Sequence, residues 1–266
     1  DRDIMNAPSS STPVPPSSAH TTRPFKTEPF VAVPWERADL DSIVSRPFGI
    51  YLHVPFCTSR CGYCDFNTYA LRTFPPGPAG DPIAHWAEQL TKELRLGAQI
   101  LTDHNITPPA ANTVFFGGGT PSLLGRQLPK ILDVVRECFG IAPGAEITSE
   151  ANPESTSPEL FDCWRAGGVN RLSLGMQSSE PRVLALLDRQ HDPARAVAAI
   201  EEAQAAGFEH LNLDLIYGTP GETTDDVARS VDTVLATGVD HVSAYALTIE
   251  PGTALFRKVA HGEIDP

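Results

Sequence analysis

The sequence predicts an α/β fold in which six parallel strands and the helices between them form an incomplete (β/α)6 barrel. From residue 48 onward, short apolar runs alternate with longer stretches whose apolar residues recur at helical spacing. A strand can return parallel to the preceding one only through a long crossover such as a helix. Roughly 200 residues carry six such units, fewer than the eight of a complete barrel. An open doubly wound sheet is the alternative architecture.

The predicted strands lie at 49–56, 112–116, 145–152, 169–177, 209–218 and 240–249. The predicted helices lie at 81–101, 126–139, from 157 onward, and at 180–188, 192–207 and 223–238. Ser157 and Asp192 are expected to cap helices, because each is a capping residue type followed by proline. Gly207 and Gly238 are expected to end the last two helices.

The first 46 residues are predicted to be a disordered leader, and 47–266 the barrel domain. The leader is rich in Pro, Ser and Thr and has little apolar surface to bury. Within it, a short helix is expected near 37–44.

The overall composition excludes several classes of protein. No run of 18 apolar residues occurs and no secretory signal begins the chain, so a cytoplasmic protein without a transmembrane segment is predicted. The formal net charge of −13 would repel phosphate backbones, which argues against a nucleic-acid partner. Five cysteines in a reducing compartment favour metal or redox chemistry over disulfides.

Three of the cysteines, Cys57, Cys61 and Cys64, lie within eight positions of the segment "HVPFCTSRCGYCDFN". Four thiolates would saturate a zinc ion or supply one ligand to each iron of a cubane cluster, whereas three leave one iron without a protein ligand. A [4Fe–4S] cluster is therefore predicted, and zinc with a distant fourth ligand is the alternative. His53 is the nearest other candidate ligand, but strand alternation favours a polar rim or core position for it.

The other two cysteines are predicted to be small buried hydrophobic residues. Cys138 lies on the apolar stripe of its helix, and Cys163 lies between Phe161 and Trp164. Neither is included in the predicted metal site.

Polar and glycine-rich groups follow each predicted strand. The three cysteines follow the first strand, "GGGTP" the second, Glu150 the third and "GMQ" the fourth; Asp214 and "YGTP" belong to the fifth, and Tyr245 and Thr248 to the sixth. Because parallel strands in both candidate folds bring their carboxyl ends to one rim, these groups predict a single site there.

The cysteine spacing, with an aromatic residue directly before the last cysteine, resembles the radical S-adenosyl-L-methionine (SAM) superfamily. The resemblance implies that the amino and carboxylate groups of SAM bind the open iron. It also implies that an electron from the cluster cleaves the sulfonium to give a 5′-deoxyadenosyl radical.

Further motifs over residues 47–257 narrow the resemblance. They are "GIYLHVPFC", "CGYCDFN", "FFGGGTPSLL", "EANPE", "RLSLGMQS", "LDRQH" and "NLDLIYGTPGET". In this order they are similar to the oxygen-independent coproporphyrinogen III oxidase family. Decarboxylating members carry a further cysteine two positions after the third ligand, where this chain has Phe66. That departure favours the heme-chaperone branch of the family.

Residue by residue, the resemblance implies metal ligands at Cys57, Cys61 and Cys64. It implies cofactor contacts at Tyr51, Tyr63, Gly118, Gly119, Thr120, Glu150, Gln177, Arg189 and Asp214. These residue types are suitable for binding SAM. Carboxylates accept hydrogen bonds from an ammonium group or ribose hydroxyls, and Gln and Arg donate to a carboxylate. No catalytic residue is assigned.

The function implied is a radical SAM iron–sulfur protein that binds heme or porphyrin as cargo and delivers it to acceptor hemoproteins, with an electron donor for the cluster. The site is expected to be competent for SAM cleavage. One alternative is an oxygen-independent coproporphyrinogen III oxidase or dehydrogenase of heme biosynthesis. Others are a radical SAM enzyme on another substrate and a binding protein that merely keeps the cluster fold. The heme-contacting residues are expected in a C-terminal domain that follows this chain.

Overall fold

The computed structural model describes residues 37–74, 80–189 and 191–265. Residues 1–36 of the leader predicted for 1–46 lie outside the described residues. The short helix expected near 37–44 is present as α1, Arg37–Ile43.

The strands form one parallel sheet of six and one small ladder of two. The order in the large sheet is β1-β4-β5-β6-β7-β8, and each pair of neighbours is parallel. The strands are β1 Gly49–Val54, β2 Phe56–Cys57, β3 Tyr69–Ala70, β4 Ala111–Gly118, β5 Ile141–Ala151, β6 Arg171–Gln177, β7 His210–Tyr217 and β8 His241–Ala246.

This strand order confirms the incomplete barrel. In a doubly wound sheet the order reverses at a switch point, whereas here each new strand of the large sheet adds beside the preceding one. The doubly wound alternative is therefore wrong. Among the described residues, β1 and β8 each pair on one side only, so the barrel stays open between them.

Within the described residues, seven further α-helices accompany the strands: α2 Pro82–Asp103, α3 Gln127–Phe139, α4 Pro158–Gly167, α5 Pro181–Leu186, α6 Pro193–Ala205, α7 Thr224–Ala236 and α8 Ala254–Ala260. The first six match the predicted helices, and α8 was not predicted. The predicted caps are confirmed, since Ser157 accepts a hydrogen bond from the Leu160 N–H and Asp192 accepts one from the Ala194 N–H.

The two faces of the large sheet differ in chemistry. Alternate strand residues such as Phe116, Leu172 and Leu213 are fully or nearly fully buried in one core with apolar residues of α3, α4 and α6. The intervening positions on neighbouring strands carry polar side chains, among them Ser173 and Asp214. Because strand side chains alternate between faces, the apolar residues pack on the helices and the polar ones line the inside of the barrel.

Candidate functional site

A cavity of about 450 Å³ lies at the carboxyl ends of the strands. This is within the range of small-molecule sites. Eleven of the twelve residues predicted from sequence line it: Cys57, Cys61, Tyr63, Cys64, Gly118, Gly119, Thr120, Glu150, Gln177, Arg189 and Asp214. The fold therefore brings together residues that lie as far apart in the sequence as positions 57 and 214.

The cysteine loop is closed at its base by the ladder of β2 with β3. Cys57 is the last residue of β2 and is buried, whereas Cys61 and Cys64 are partly buried, and all three are free thiols. Arg60 stabilises the turn by donating to the carbonyl oxygens of Cys64, at 3.0 Å, and Phe66, at 3.2 Å. Contacts of the loop with its own residues thus contribute to its fold.

The buried position of Cys57 affects the protonation of its thiol. Burial raises the pKa of the Cys57 thiol, and hydrogen bonds with Thr120 and Thr68 oppose that shift. In the described part of the chain, no three His, Cys, Asp or Glu side chains converge as ligands of a single metal ion.

Arg189, in the segment after α5, contacts the cysteine loop. Its Nη1 donates to Cys61 Sγ at 3.5 Å, and its Nη2 donates to the carbonyl oxygen of Gly175 at 2.7 Å and to Asn152 Oδ1 at 3.2 Å. The buried Nε has no partner within the described chain. A buried N–H without a partner is costly, so this atom fits an acceptor such as a ligand carboxylate.

The glycines at the end of β4 and directly after it are required by the protein's own backbone. A Cβ on Gly119 would lie 2.5 Å from the carbonyl oxygen of Phe56, and Gly118 has φ +111. The N–H groups of Gly119 and Thr120 donate to the carbonyl oxygens of Val54 and Phe56, each at 2.7 Å. This turn therefore packs directly against the strand that leads into the cysteine loop.

Two carboxyl groups form the acidic wall of the cavity. Glu150 Oε2 accepts from the Gly118 N–H at 3.0 Å, and burial, aided by the charge of Asp214, raises the pKa of Glu150 to about 7. Burial also raises the pKa of Asp214, which accepts from Asn212 Nδ2 at 2.7 Å and from the Ser173 hydroxyl at 3.3 Å. A cationic ligand would stabilise both groups in their charged forms.

Gln177 reaches the cavity through an irregularity in β6. The register with β7 shifts between Gly175 and Gln177, and Gln177 has φ +69. His191 holds this bulge by a hydrogen bond between its Nε2 and the carbonyl oxygen of Met176, at 3.0 Å. A Cβ on Gly175 would lie 2.7 Å from Gln177 Nε2, so the small residue makes room for that amide.

The two predicted tyrosines occupy different environments. Tyr63 packs with Val183, Leu187 and Ile216, and burial raises the pKa of its phenol. Tyr51 does not line the cavity; it is 58% exposed and stacks on Phe115. Of the twelve predicted residues it is the one that the fold leaves outside.

The alternative ligand His53 is already engaged in hydrogen bonds. Its Nδ1 lies 3.0 Å from the Tyr51 hydroxyl, and its Nε2 lies 2.9 Å from the carbonyl oxygen of Asn67. Cys138 and Cys163 are partly buried on α3 and α4 and do not line the cavity.

Sequence reasoning missed several residues of the cavity wall. Asn152 links two predicted residues, because its Nδ2 donates to Thr120 Oγ1 at 3.1 Å and its Oδ1 accepts from Arg189. Ser173 was also missed, whereas Gly175 lines the wall as the first residue of the predicted rim segment "GMQ". Asn152 lies in the motif "EANPE", and Ser173 is a polar residue alternating with leucines in a strand, so both carried a readable signal.

The chain matches the family model described as Radical SAM superfamily over residues 51–234. Among curated proteins, the heme chaperone HemW of Mycobacterium tuberculosis is 55% identical over 236 residues, which are 88% of this chain and 58% of that protein. HemW of Escherichia coli is 36% identical over 210 residues, 78% of this chain and 52% of that protein. The chain thus spans little more than half the length of these relatives.

A solved structure resembles the fold as well. Coproporphyrinogen III oxidase (HemN) from Escherichia coli, described as a radical SAM enzyme, matches with a TM-score of 0.72 and 28% identity. The match covers 87% of this chain and 52% of that one. In the described residues, no helix is long and apolar enough to cross a bilayer.

Proposed function

This chain belongs to the radical SAM superfamily, and from that membership we propose that it is the core of a HemW-type heme chaperone, which binds heme and delivers it to hemoproteins. Membership implies a [4Fe–4S] cluster and SAM. The observation that carries the finer proposal is the 55% identity to a heme chaperone over 88% of the chain.

Cys57, Cys61 and Cys64 hold the cluster in this proposal. Their loop is closed by the ladder of β2 with β3, and all three line one cavity with free thiols. When bound, the cluster supplies the electron that cleaves the sulfonium of SAM. The protein's part is to keep one coordination position free of protein ligands, which three thiolates do.

The remaining cavity residues bind and orient SAM. Arg189, with its unpartnered Nε, and Gln177 donate to the carboxylate of SAM. Glu150 and Asp214 accept from its ammonium group or ribose hydroxyls, and the positive charge of SAM would stabilise the carboxylate forms that burial disfavours. Tyr63, Gly118, Gly119 and Thr120 complete the wall. Tyr51 acts from outside the cavity, through its stacking on Phe115 and its bond to His53.

Heme or a related porphyrin is the proposed cargo, with acceptor hemoproteins and an electron donor as partners. Two observations support this proposal. The similar curated proteins are heme chaperones, and position 66 carries a phenylalanine. Phe66 lines the cavity and is 59% exposed, and an aromatic ring offers contact area but no thiol. A cytoplasmic location is part of the same proposal.

Oxygen-independent coproporphyrinogen III oxidation is the second candidate function. The likeness to the solved structure of coproporphyrinogen III oxidase favours it, at 28% identity. Phe66 opposes it, because it occupies the position where decarboxylating members of that family carry a further cysteine.

The test begins with anaerobic reconstitution of the cluster, followed by SAM and dithionite and an assay for 5′-deoxyadenosine. We expect the wild-type protein to form this product and Cys61→Ala to form none. A wild-type protein that takes up a cluster but neither binds nor cleaves SAM would contradict the proposed site.

The second step separates chaperone from oxidase. Hemin titration of the whole protein is expected to show saturable binding, and incubation with coproporphyrinogen, SAM and reductant is expected to release no carbon dioxide. Release of carbon dioxide that requires SAM and disappears in Cys57→Ala would establish the oxidase instead. Phe66→Cys is not expected to create that activity, since a productive site needs substrate held within about 0.5 Å.

A further inference from the structure

Gly62 lies between two of the proposed cluster ligands, and both of its backbone polar groups are bonded by distant elements. Its N–H donates to the carbonyl oxygen of Leu187, just after α5, at 3.0 Å. Its carbonyl oxygen accepts from the N–H of Leu255, in α8, at 2.8 Å. The segment Cys61–Cys64 is therefore bonded to the end of α5 and to α8.

A side chain at position 62 would have no space. A Cβ there would lie 2.4 Å from Asp188 Oδ2 and 3.2 Å from its Cγ. Asp188 has φ +54, a left-handed conformation that Asp adopts more readily than most residues. The conformation at the end of α5 thus places a carboxylate directly over the glycine of the cysteine loop.

Lys258 of α8 forms an ion pair with Asp188. Its Nζ donates to both carboxylate oxygens of Asp188, each at 3.1 Å, and the two side chains are 34% and 40% exposed. This ion pair joins α8 to the end of α5 across Gly62. Neither charged residue lines the cavity.

We propose that Asp188 and Lys258 are positioning residues, which hold α8 and the end of α5 on Gly62 and thereby set how firmly the cysteine loop retains its iron–sulfur cluster. The inference rests on the proposed cluster site. Groups that orient metal ligands without touching the metal commonly control affinity, because the ligands must stay close to one geometry. Here the ion pair of Asp188 with Lys258 would hold the two elements that bond the backbone of Gly62, between Cys61 and Cys64.

The experiment measures how fast the reconstituted cluster is lost to a chelator, followed by its visible absorbance and by released iron. Lys258→Met removes the charge and keeps an unbranched apolar chain. We expect about fivefold faster loss, the ratio that corresponds to about 1 kcal/mol for a partly exposed pair. Lys258→Arg, which keeps the pair, is expected to restore the wild-type rate, a rescue that general destabilisation would not produce.

Lys92→Met, at an exposed lysine of α2, is the matched control and should lose its cluster at the wild-type rate. Gly62→Ala provides a second test independent of charge, since the added methyl group must displace Asp188. Unfolding midpoints of the cluster-free proteins identify any variant that fails to fold.

The outcomes separate this inference from the proposed function. If the wild type takes up a cluster and both Lys258→Met and Gly62→Ala lose it no faster than Lys92→Met, the positioning role is wrong while the cluster site stands. If the wild type takes up no cluster, the proposed function and this inference fail together.

Discussion

At the residue scale, Glu150 and Asp214 are cavity groups whose charge state depends on what is bound. Burial raises the pKa of both, and that of Glu150 reaches about 7. A bound cation would stabilise their charged forms and lower both pKa values again. The empty and occupied sites therefore hold different numbers of protons at neutral pH.

Glu150 predicts a specific pH dependence of stability for the cluster-free chain. Its pKa rises from 4.5 to about 7 on folding, so its stabilising contribution is complete below pH 4.5 and is lost as the pH rises through 7. Relative to Glu150→Gln, we expect the wild-type free energy of unfolding to fall by about 3 kcal/mol across that window. Urea unfolding between pH 5 and 8 measures it, with Glu146→Gln on the same strand as control. Parallel curves for wild type and Glu150→Gln would refute the assignment.

The cysteines give a second prediction at this scale. Cys57→Ala, Cys61→Ala and Cys64→Ala should each reduce reconstituted iron to about a tenth or less, because losing a ligand costs more than losing an outer-shell partner. Cys138→Ala and Cys163→Ala should retain the full iron content and visible absorbance. Full cluster in Cys61→Ala would overturn the ligand set.

At the scale of single elements, the helix that follows β5 begins at a cap that can be tested alone. Ser157 has extended backbone angles, and its hydroxyl accepts from the Leu160 N–H at 3.3 Å. Pro158 follows at the first helical position, where no N–H is needed. Local chemistry therefore starts α4 independently of the cavity.

Replacing the cap should lower stability without affecting the site. Ser157→Ala is expected to reduce the free energy of unfolding by about 1 kcal/mol, whereas Ser157→Asp should leave it nearly unchanged, because Asp caps equally well. Denaturant unfolding of both variants measures the difference. Iron uptake equal to wild type would show that the effect is confined to the helix, and an unaltered Ser157→Ala protein would contradict the capping role.

At the scale of the whole molecule, the cysteine loop connects parts of an open barrel. The loop follows β1, and Gly62 bonds the ends of elements that follow β6 and β8. Arg189 adds a contact from the segment after α5 to Cys61. Ordering this loop therefore affects its contacts with the elements that follow β6 and β8.

Cluster uptake should consequently stabilise the entire domain. Because a group that binds only the folded state stabilises it, we expect reconstitution to raise the unfolding midpoint, by about 2–4 °C for each kcal/mol of stabilisation in a domain of this size. Anaerobic calorimetry before and after treatment with a chelator measures the change. Equal midpoints for the loaded and stripped proteins would contradict selective binding of the cluster to the folded state.

The local pattern of residues was enough to predict the six strands of the large sheet, seven of the helices and a polar rim at the carboxyl ends of the strands, whereas the individual site residues came from the family resemblance and the β2–β3 ladder was not predicted. Periodicity and capping are properties of neighbours in the chain, and parallel strands must align their carboxyl ends. The barrel followed from the same reasoning, and the strand order confirmed it against the doubly wound alternative. Helix α8 was missed because the helices of the barrel were sought between predicted strands, and α8 lies after the last of the predicted strands.

Contacts between distant residues were decided only by the tertiary structure. Glycine is needed at positions 62 and 119 because atoms of Asp188 and Phe56 lie where a Cβ would be. The local sequence does not predict either of these close contacts. Tyr51 matched a motif, yet the fold leaves it outside the cavity wall. Side-chain alternation gives the face on which a residue lies, whereas the packing of other elements against that face determines whether it reaches the site.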